Sequence, residues 1–371
     1  MTPDSTIQRI TRLTPLQAVL ALIDAQIEAV KPERWAIAAA EGFALAEDVV
    51  SPMRPEHPIA LRDGFAVASA AIGDAGPYAP VPLPAPVCRI DVGEMLPEAA
   101  DAVLPLDAVT IRGERVEAVA PVTAGEGVLP AGGDAMPNTL MRRTGETMRS
   151  IDVAAALAAG IRGTAIRNPR IAVVTGAELT RPLRPVPGVL VRSVFDAGAT
   201  VSNEGDFTLE AAVERETNDA IVAIGGTGSG RHDTAVQALA RLGRVEMHGI
   251  AISPGETTAF GFAGRRPVLL VSGRLDAAIA AWLLIGRRIA AKLAGTVVED
   301  SKLVLPLRRK VSSAIGMTEV VPVQHENGMA EPLASGYLSF MALARSTGWI
   351  AVPAESEGFP AGTNVDVHPW P

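Results

Sequence analysis

The stretch NDAIVAIGGTGSGRHDTAVQALARLG, from Asn218 to Gly243, constrains the fold more than any other part of the chain. Ala220 to Ile224 is a short apolar run of the kind expected of a strand covered on both faces, and helical spacing resumes at Ala235, Val236, Leu239 and Leu242. Between them Gly225, Gly226, Gly228 and Gly230, interleaved with Thr227 and Ser229, let backbone N–H groups turn toward one point at the positive end of a helix. That local pattern suits an oxyanion, but glycines also serve ordinary strand-to-helix turns. The spacing matches neither the P-loop nor the dinucleotide fingerprint. Asp233 is open in the same way: it is a helix N-cap or a ligand-binding carboxylate.

The chain has 371 residues, too many for one core, so two or more domains are expected. Apolar residues make up 48% of it, yet no run approaches the length of a membrane span, and the start MTPDSTIQRITRLTP lacks an export signal. The expectation is a cytoplasmic protein that does not engage a membrane. A single cysteine, Cys88, excludes an internal disulfide framework, and five scattered histidines argue against structural zinc. A net charge of −8 and few aromatics argue against nucleic acid as a partner. His232, His248 and His325 lack catalytic or metal spacing and read as structural or exposed.

Along the chain, Thr14, Pro15 and Gln17 predict a helix start with Thr14 as N-cap, continuing to about Val30. From Glu41 to Val128 the texture is β-like, with Arg112-Gly113-Glu114 as a turn between strands. Helical spacing returns at Ile151 to Ala159. From Arg170 to about Gly295 strands and helices alternate, ending in a long helix from Asp276 to Leu293, which predicts a mostly parallel sheet between helices. Ligands of such sheets collect at strand carboxyl ends, where Thr175 to Glu178, the Gly225 loop and Ser272-Gly273-Arg274 fall. Beyond Ser301 the pattern reverts to strands and turns.

Five motifs follow one another: RDGFA, VGEMLPEAADAVLP, VVTGAEL, GGTGSGRHD and ISPGETTAFG. In this order the chain resembles the molybdopterin molybdenumtransferase family, of the MoeA and gephyrin E-domain type, over nearly its whole length. The resemblance implies a multi-domain α/β fold. Its parts would be a discontinuous elongated segment (1–45 and 129–168), an inserted β-rich domain (46–128), a central three-layer α/β domain (169–300) and a β-barrel-like domain (301–371). It also implies a homodimer whose cleft joins the central domain of one subunit to the inserted domain of the other. The implied reaction inserts molybdate into adenylylated molybdopterin with release of AMP and help from Mg2+. A molybdoenzyme or another cofactor-biosynthesis protein is the implied further partner.

Residue by residue, Asp63 matches the aspartate of MDGYA, Glu178 the glutamate of TGDEL, and Asp233 the last aspartate of GGVSVGxxD. These three carboxylates are the expected catalytic groups, with Glu178 and Asp233 as metal ligands. Gly225, Gly226, Thr227, Gly228, Ser229 and Gly230 are the expected cofactor cradle, joined by Ser253, Gly255, Ser272, Gly273, Arg192 and Arg274. Where the family carries KPGKP, this chain has Ser253-Pro254-Gly255-Glu256-Thr257, so both lysines are gone; PGNP becomes Ser272-Gly273-Arg274-Leu275, and DSN becomes Arg192-Ser193-Val194. The expectation is a cleft kept cationic by Arg192, Arg231 and Arg274 with altered geometry. Two functions remain open: a divergent transferase, or a molybdopterin-binding scaffold that has lost turnover.

Overall fold

The computed structural model describes residues 10–370 except 114, 176–184, 203–207, 232 and 298–301. The chain divides into two units: Met1–Glu47, Thr144–Ser150 and Gly163–Pro371 form one, and Asp48–Arg143 with Ile151–Arg162 the other.

In the larger unit a six-stranded mixed sheet runs in the order Thr200–Val201, Arg170–Thr175, Ala220–Ile224, Arg266–Val271, Ala259–Ala263, Arg244–His248. The first four strands are parallel, Ala259–Ala263 runs against them, and Arg244–His248, pairing antiparallel with Ala259–Ala263, runs their way again. The expected parallel sheet is therefore present with an antiparallel edge, because Ala259–Ala263 and Arg266–Val271 are joined by a tight turn at Gly264 rather than a helix. All five side chains of Ala220–Ile224 are buried, as a strand with both faces covered requires. One face packs Ile171, Val173, Val222 and Leu269 against Val186, Leu190, Trp282 and Ile289; the other packs Ala172, Val174, Ile221 and Leu270 against Leu209, Val236 and Leu239.

The first helix spans Leu16–Gln26, and Pro15, not Thr14, precedes it. Thr14 is drawn into a parallel bridge instead: its N–H donates to Gly249 O at 2.9 Å and its carbonyl accepts Ala251 N–H at 2.8 Å. A tertiary backbone pair thus displaces the local cap. The helix is clamped to Arg287–Ala294 by Arg288, whose Nε and Nη2 donate to Asp24 at 2.8 and 2.7 Å. That guanidinium holds the Asp24 carboxyl below its ordinary range. The long helix predicted over 276–293 is continuous but changes pitch, with α-turns at Leu275–Ala281 and Arg287–Ala294 flanking a π-turn at Trp282–Gly286.

Toward the carboxyl end, Thr318–Glu326 pairs antiparallel with Met329–Pro332 and Gly348–Val352, and parallel with Ile252–Ser253. Two further pairs, Leu303–Pro306 with Asn364–Val367 and Val311–Ser312 with Gly358–Phe359, share a small core around Leu307, Val321, Val323 and Ile350.

The smaller unit is β-rich. Gly64–Val67 pairs with Cys88–Ile90 and Ala102–Pro105, and the predicted hairpin joins Val109–Arg112 to Arg115–Ala118. Phe65, Ile72, Leu83 and Leu104 form its core. None of the described helices is long and apolar enough to cross a membrane.

At the entrance of two central strands, Asp219 Oδ2 accepts Arg170 N–H at 2.7 Å. Burial raises its carboxyl above the ordinary range, opposed by that hydrogen bond and by the charge of Arg170. The folded state therefore holds this proton more tightly than the unfolded chain, and the contribution fades as pH rises through the raised value. Asp219→Asn keeps an acceptor without the charge. We expect its melting temperature to fall less than that of the parent between pH 4 and 7, as measured by thermal denaturation at a series of pH values.

Candidate functional site

The carboxyl ends of the strands Ala220–Ile224 and Arg266–Val271 open on a cavity of about 170 Å³. Gly226, Thr227, Gly228 and Asp233 come from the first connection, Ser272, Gly273, Arg274 and Ala277 from the second, and Gly255, Glu256 and Thr257 from the loop after Ile252–Ser253. The first two connections meet because their parallel strands are neighbours, and the third, after a strand of another sheet, joins them.

Gly225 and Gly226 take φ of 87° and 77°, the left-handed region that a side chain disfavours. Gly225 N–H donates to Val271 O at 2.8 Å, and Gly226 O accepts Ala235 N–H at 3.0 Å, so the turn seals the strand end and opens the helix Ala235–Leu242. The tip then closes on itself. Asp233 Oδ2 accepts Gly230 N–H at 2.7 Å, and Asp233 N–H donates back to Gly230 O at 3.1 Å. A Cβ on Gly228 or Gly230 would stand 2.8 or 2.9 Å from that same oxygen, which explains glycine at both. Asp233 is thus neither the N-cap, which is Thr234, nor a free carboxylate beside an empty cradle. It occupies part of the anion-binding capacity that the loop's N–H groups provide. Ser229 is exposed and not among the lining residues.

Two contacts brace the loop. Thr227, 2% exposed, places Oγ1 3.0 Å from Thr257 Oγ1, and its carbonyl lies 2.9 Å from His248 Nε2. His248 therefore supports the loop, as the structural reading expected. The opposing loop is fixed in turn by Thr258, whose Oγ1 donates to Gly255 O at 2.7 Å, and by the pairing of Ser253 with Glu319. Thr227→Val removes a hydroxyl partner inside this brace. We expect a loss of about 1 kcal/mol, seen as a small drop in thermal midpoint, with a larger effect on ligand affinity than on folding.

The charges differ from the cationic cleft expected. Glu256, which stands at the second lysine position of KPGKP, lines the cavity, and its Oε2 accepts Gly255 N–H at 3.2 Å. Arg274 lines it too, but its Nε and Nη2 donate to Asp276 at 3.1 and 2.6 Å, and its guanidinium stacks 5.4 Å from the Tyr337 ring centroid. The hydrogen bond to Asp276 pushes Arg274 above its ordinary range, so its charge is permanent yet matched. Arg192 lies on the helix Pro185–Asp196, 77% exposed, paired with Asp196 at 3.0 Å and outside the cavity lining. Arg231 is exposed and also outside it. An exposed helix face and an i,i+4 partner account for Arg192 without any ligand. Among the described residues the lining thus carries two carboxylates, Asp233 and Glu256, against one paired cation.

Glu178 lies outside the described residues. Among those described, no group of three His, Cys, Asp or Glu is arranged to hold a metal. Magnesium commonly takes only one or two protein carboxylates, completing its shell with water and substrate phosphate, and Asp233 with Glu256 fits that donor set. Asp63 belongs to the other unit. It is exposed beside the strand Gly64–Val67, and its Oδ1 accepts Val92 N–H at 2.9 Å, which joins RDGFA to the VGEMLP loop. Asp101 is committed structurally, accepting the Ser69 N–H and hydroxyl at 2.6 and 2.9 Å.

Asp276 and Tyr337 are missed by sequence reasoning. An aspartate in a first helical turn reads as an ordinary dipole partner, and Tyr337 is 61 positions away from it with no motif to mark it.

Comparison with known proteins agrees in three consecutive stretches. Residues 14–160 match the MoeA N-terminal region (domain I and II), residues 191–292 match the family described as "Probable molybdopterin binding domain", and residues 304–370 match the MoeA C-terminal region (domain IV). Molybdopterin molybdenumtransferase 1 of Mycobacterium tuberculosis is 30% identical over 298 residues, covering 66% of this chain and 70% of that one. Molybdopterin molybdenumtransferase of Haemophilus influenzae is 24% identical over 379 residues, covering 88% and 90%. A solved molybdopterin biosynthesis MoeA protein from Pyrococcus horikoshii superposes with a TM-score of 0.71 at 25% identity, over 97% of this chain and 100% of the other. With the regions in family order and a relative at 30% identity, this chain belongs to the MoeA-type molybdopterin molybdenumtransferase family.

Proposed function

We propose that this protein acts in molybdenum cofactor biosynthesis, holding adenylylated molybdopterin at the Gly225–Asp233 cavity and inserting molybdate into its dithiolene with release of AMP. The observation that carries the reading is the meeting of three loops at the strand ends, in a chain whose relatives are named molybdopterin molybdenumtransferases. Thr227, Thr257 and Ser272 offer hydroxyls to the substrate's oxygens, while the left-handed turn at Gly225-Gly226 lets it approach the backbone. Asp233 orients water or the entering oxyanion. Asp233 and Glu256, with Glu178, are the residues that would share Mg2+ with the substrate's phosphates, and the ion would offset charge on the oxygens during transfer. In a homodimer of the family's kind, Asp63 of the partner subunit would complete the cleft.

The same reading makes the protein cytoplasmic, gives its terminal strands a barrel-like arrangement, and makes a molybdoenzyme or another biosynthetic protein the recipient. Its test is AMP release from adenylylated molybdopterin supplied with molybdate and magnesium. Release is expected; none, beside an active family enzyme, overturns catalysis. A second reading, a molybdopterin-binding scaffold without turnover, is favoured by Glu256 in place of lysine and by the pairing of Arg274 with Asp276. Pterin binding by calorimetry without AMP release selects it.

A further inference from the structure

Asp276 is 2% exposed, yet four N–H groups converge on its carboxylate: Arg274 Nε and Nη2, Ala277 N–H at 2.9 Å and Leu338 N–H at 3.2 Å. A buried carboxylate is kept only where such donors replace water. Arg274 lines the cavity and Asp276 does not, and the charge of Glu256, another lining residue, acts on the Arg274 guanidinium. Arginine has five donors in a planar fork; two are given to Asp276, and among the described residues Nη1 donates to no protein acceptor. Its Cζ lies over the Tyr337 ring, 5.4 Å from the centroid.

We infer that Arg274 is the oxyanion-recognition residue of this cavity and that Asp276 and Tyr337 are its positioning residues. The ligand class is a tetrahedral oxyanion, either the terminal phosphate of a pterin phosphate or molybdate itself. The inference rests on the function proposed above. With the fork already ordered, little side-chain entropy is lost on binding, and the Nη1 and Nη2 edge donates to two oxygens in parallel. A lysine in the same place would bring a point charge and no fixed direction. The Leu338 N–H also ties this fork to the turn that carries Tyr337, so both positioning groups move as one.

Anaerobic calorimetry with molybdopterin, dephosphorylated molybdopterin and molybdate tests this on the full chain. Arg274→Gln is expected to weaken binding at least about tenfold, and Arg274→Lys to recover only part of it. Loss confined to the phosphorylated pterin assigns the phosphate; loss on molybdate assigns the metal oxyanion. Asp276→Asn is expected to weaken binding in the parent and to have no further effect beside Arg274→Gln. Equal losses in both backgrounds would overturn the positioning role. Because Asp276 is buried, Tyr337, 59% exposed, provides a second variant: Tyr337→Ala should weaken binding about threefold and Tyr337→Phe restore it. Unchanged affinity in Arg274→Gln for all three ligands overturns the inference while leaving the proposed function standing. Absence of binding by the parent protein overturns the proposed function itself.

Discussion

Alanine at Asp233 is expected to lower AMP release at least about a hundredfold while moving the thermal midpoint by only a few degrees. The two effects separate because they have different origins. Among the described residues, Asp233 Oδ2 accepts the N–H of Gly230 at a partly exposed loop tip. Losing one such bond costs about 1 kcal/mol, since water can reach the freed donor. A carboxylate that positions water or an entering oxyanion contributes about 10²–10⁴ to rate, which the alanine removes entirely. Asp233→Asn refines the comparison: it preserves an acceptor for Gly230 and should restore stability without restoring turnover. Parallel measurement of AMP release and thermal unfolding decides the matter. If alanine lowers stability by several kcal/mol and activity in proportion, Asp233 serves the turn alone.

Reversing the charge of Glu256 is the second large effect. Glu256→Lys should tighten binding of molybdate or pyrophosphate about tenfold at low ionic strength, and the gain should shrink steeply with added salt. A unit charge about 8 Å from an oxyanion, in an effective dielectric near 40, is worth about 1 kcal/mol, and the substitution changes two units. Glu256 is exposed, so screening over a Debye length of about 8 Å at physiological salt removes much of this. The same variant should make binding less dependent on magnesium, because a carboxylate that shares the ion is replaced by a group that meets the anion directly. Titration at several salt and magnesium concentrations measures both. Weaker binding in the lysine variant at every salt concentration would show that Glu256 is not near the anion.

Much of the frame was legible because its signals are local. The buried runs Arg170–Thr175 and Ala220–Ile224 lie within the boundaries read from sequence, since a strand covered on both faces needs contiguous apolar residues. What failed depended on partners distant in sequence. Thr14 has good capping chemistry, but its backbone is taken by Gly249 and Ala251. The π-turn inside the long helix packs the Trp282 ring where a Cβ on Gly286 would stand 2.2 Å from it, and periodicity does not report that contact. The site divides along the same line. The glycine loop and its aspartate were found from spacing, whereas the charge balance was not, because counting arginines says nothing of Asp196 or Asp276 facing them. Residue type proposes a charge; the neighbour decides whether a ligand can use it.

One pairing reaches further than its two residues suggest. Ile252–Ser253, the last residues before the Gly255–Thr257 wall, lie alongside Thr318 and Glu319. Asp276, behind Arg274, is fastened to Leu338 in the same carboxyl-terminal region. None of the cavity's lining residues comes from beyond residue 300, yet two of its walls are anchored there. A chimaera carrying a relative's residues 302–370 would therefore alter ligand preference without exchanging a single group that touches the ligand. Substitutions in the terminal strands can therefore shift selectivity with every residue of the glycine loop unchanged.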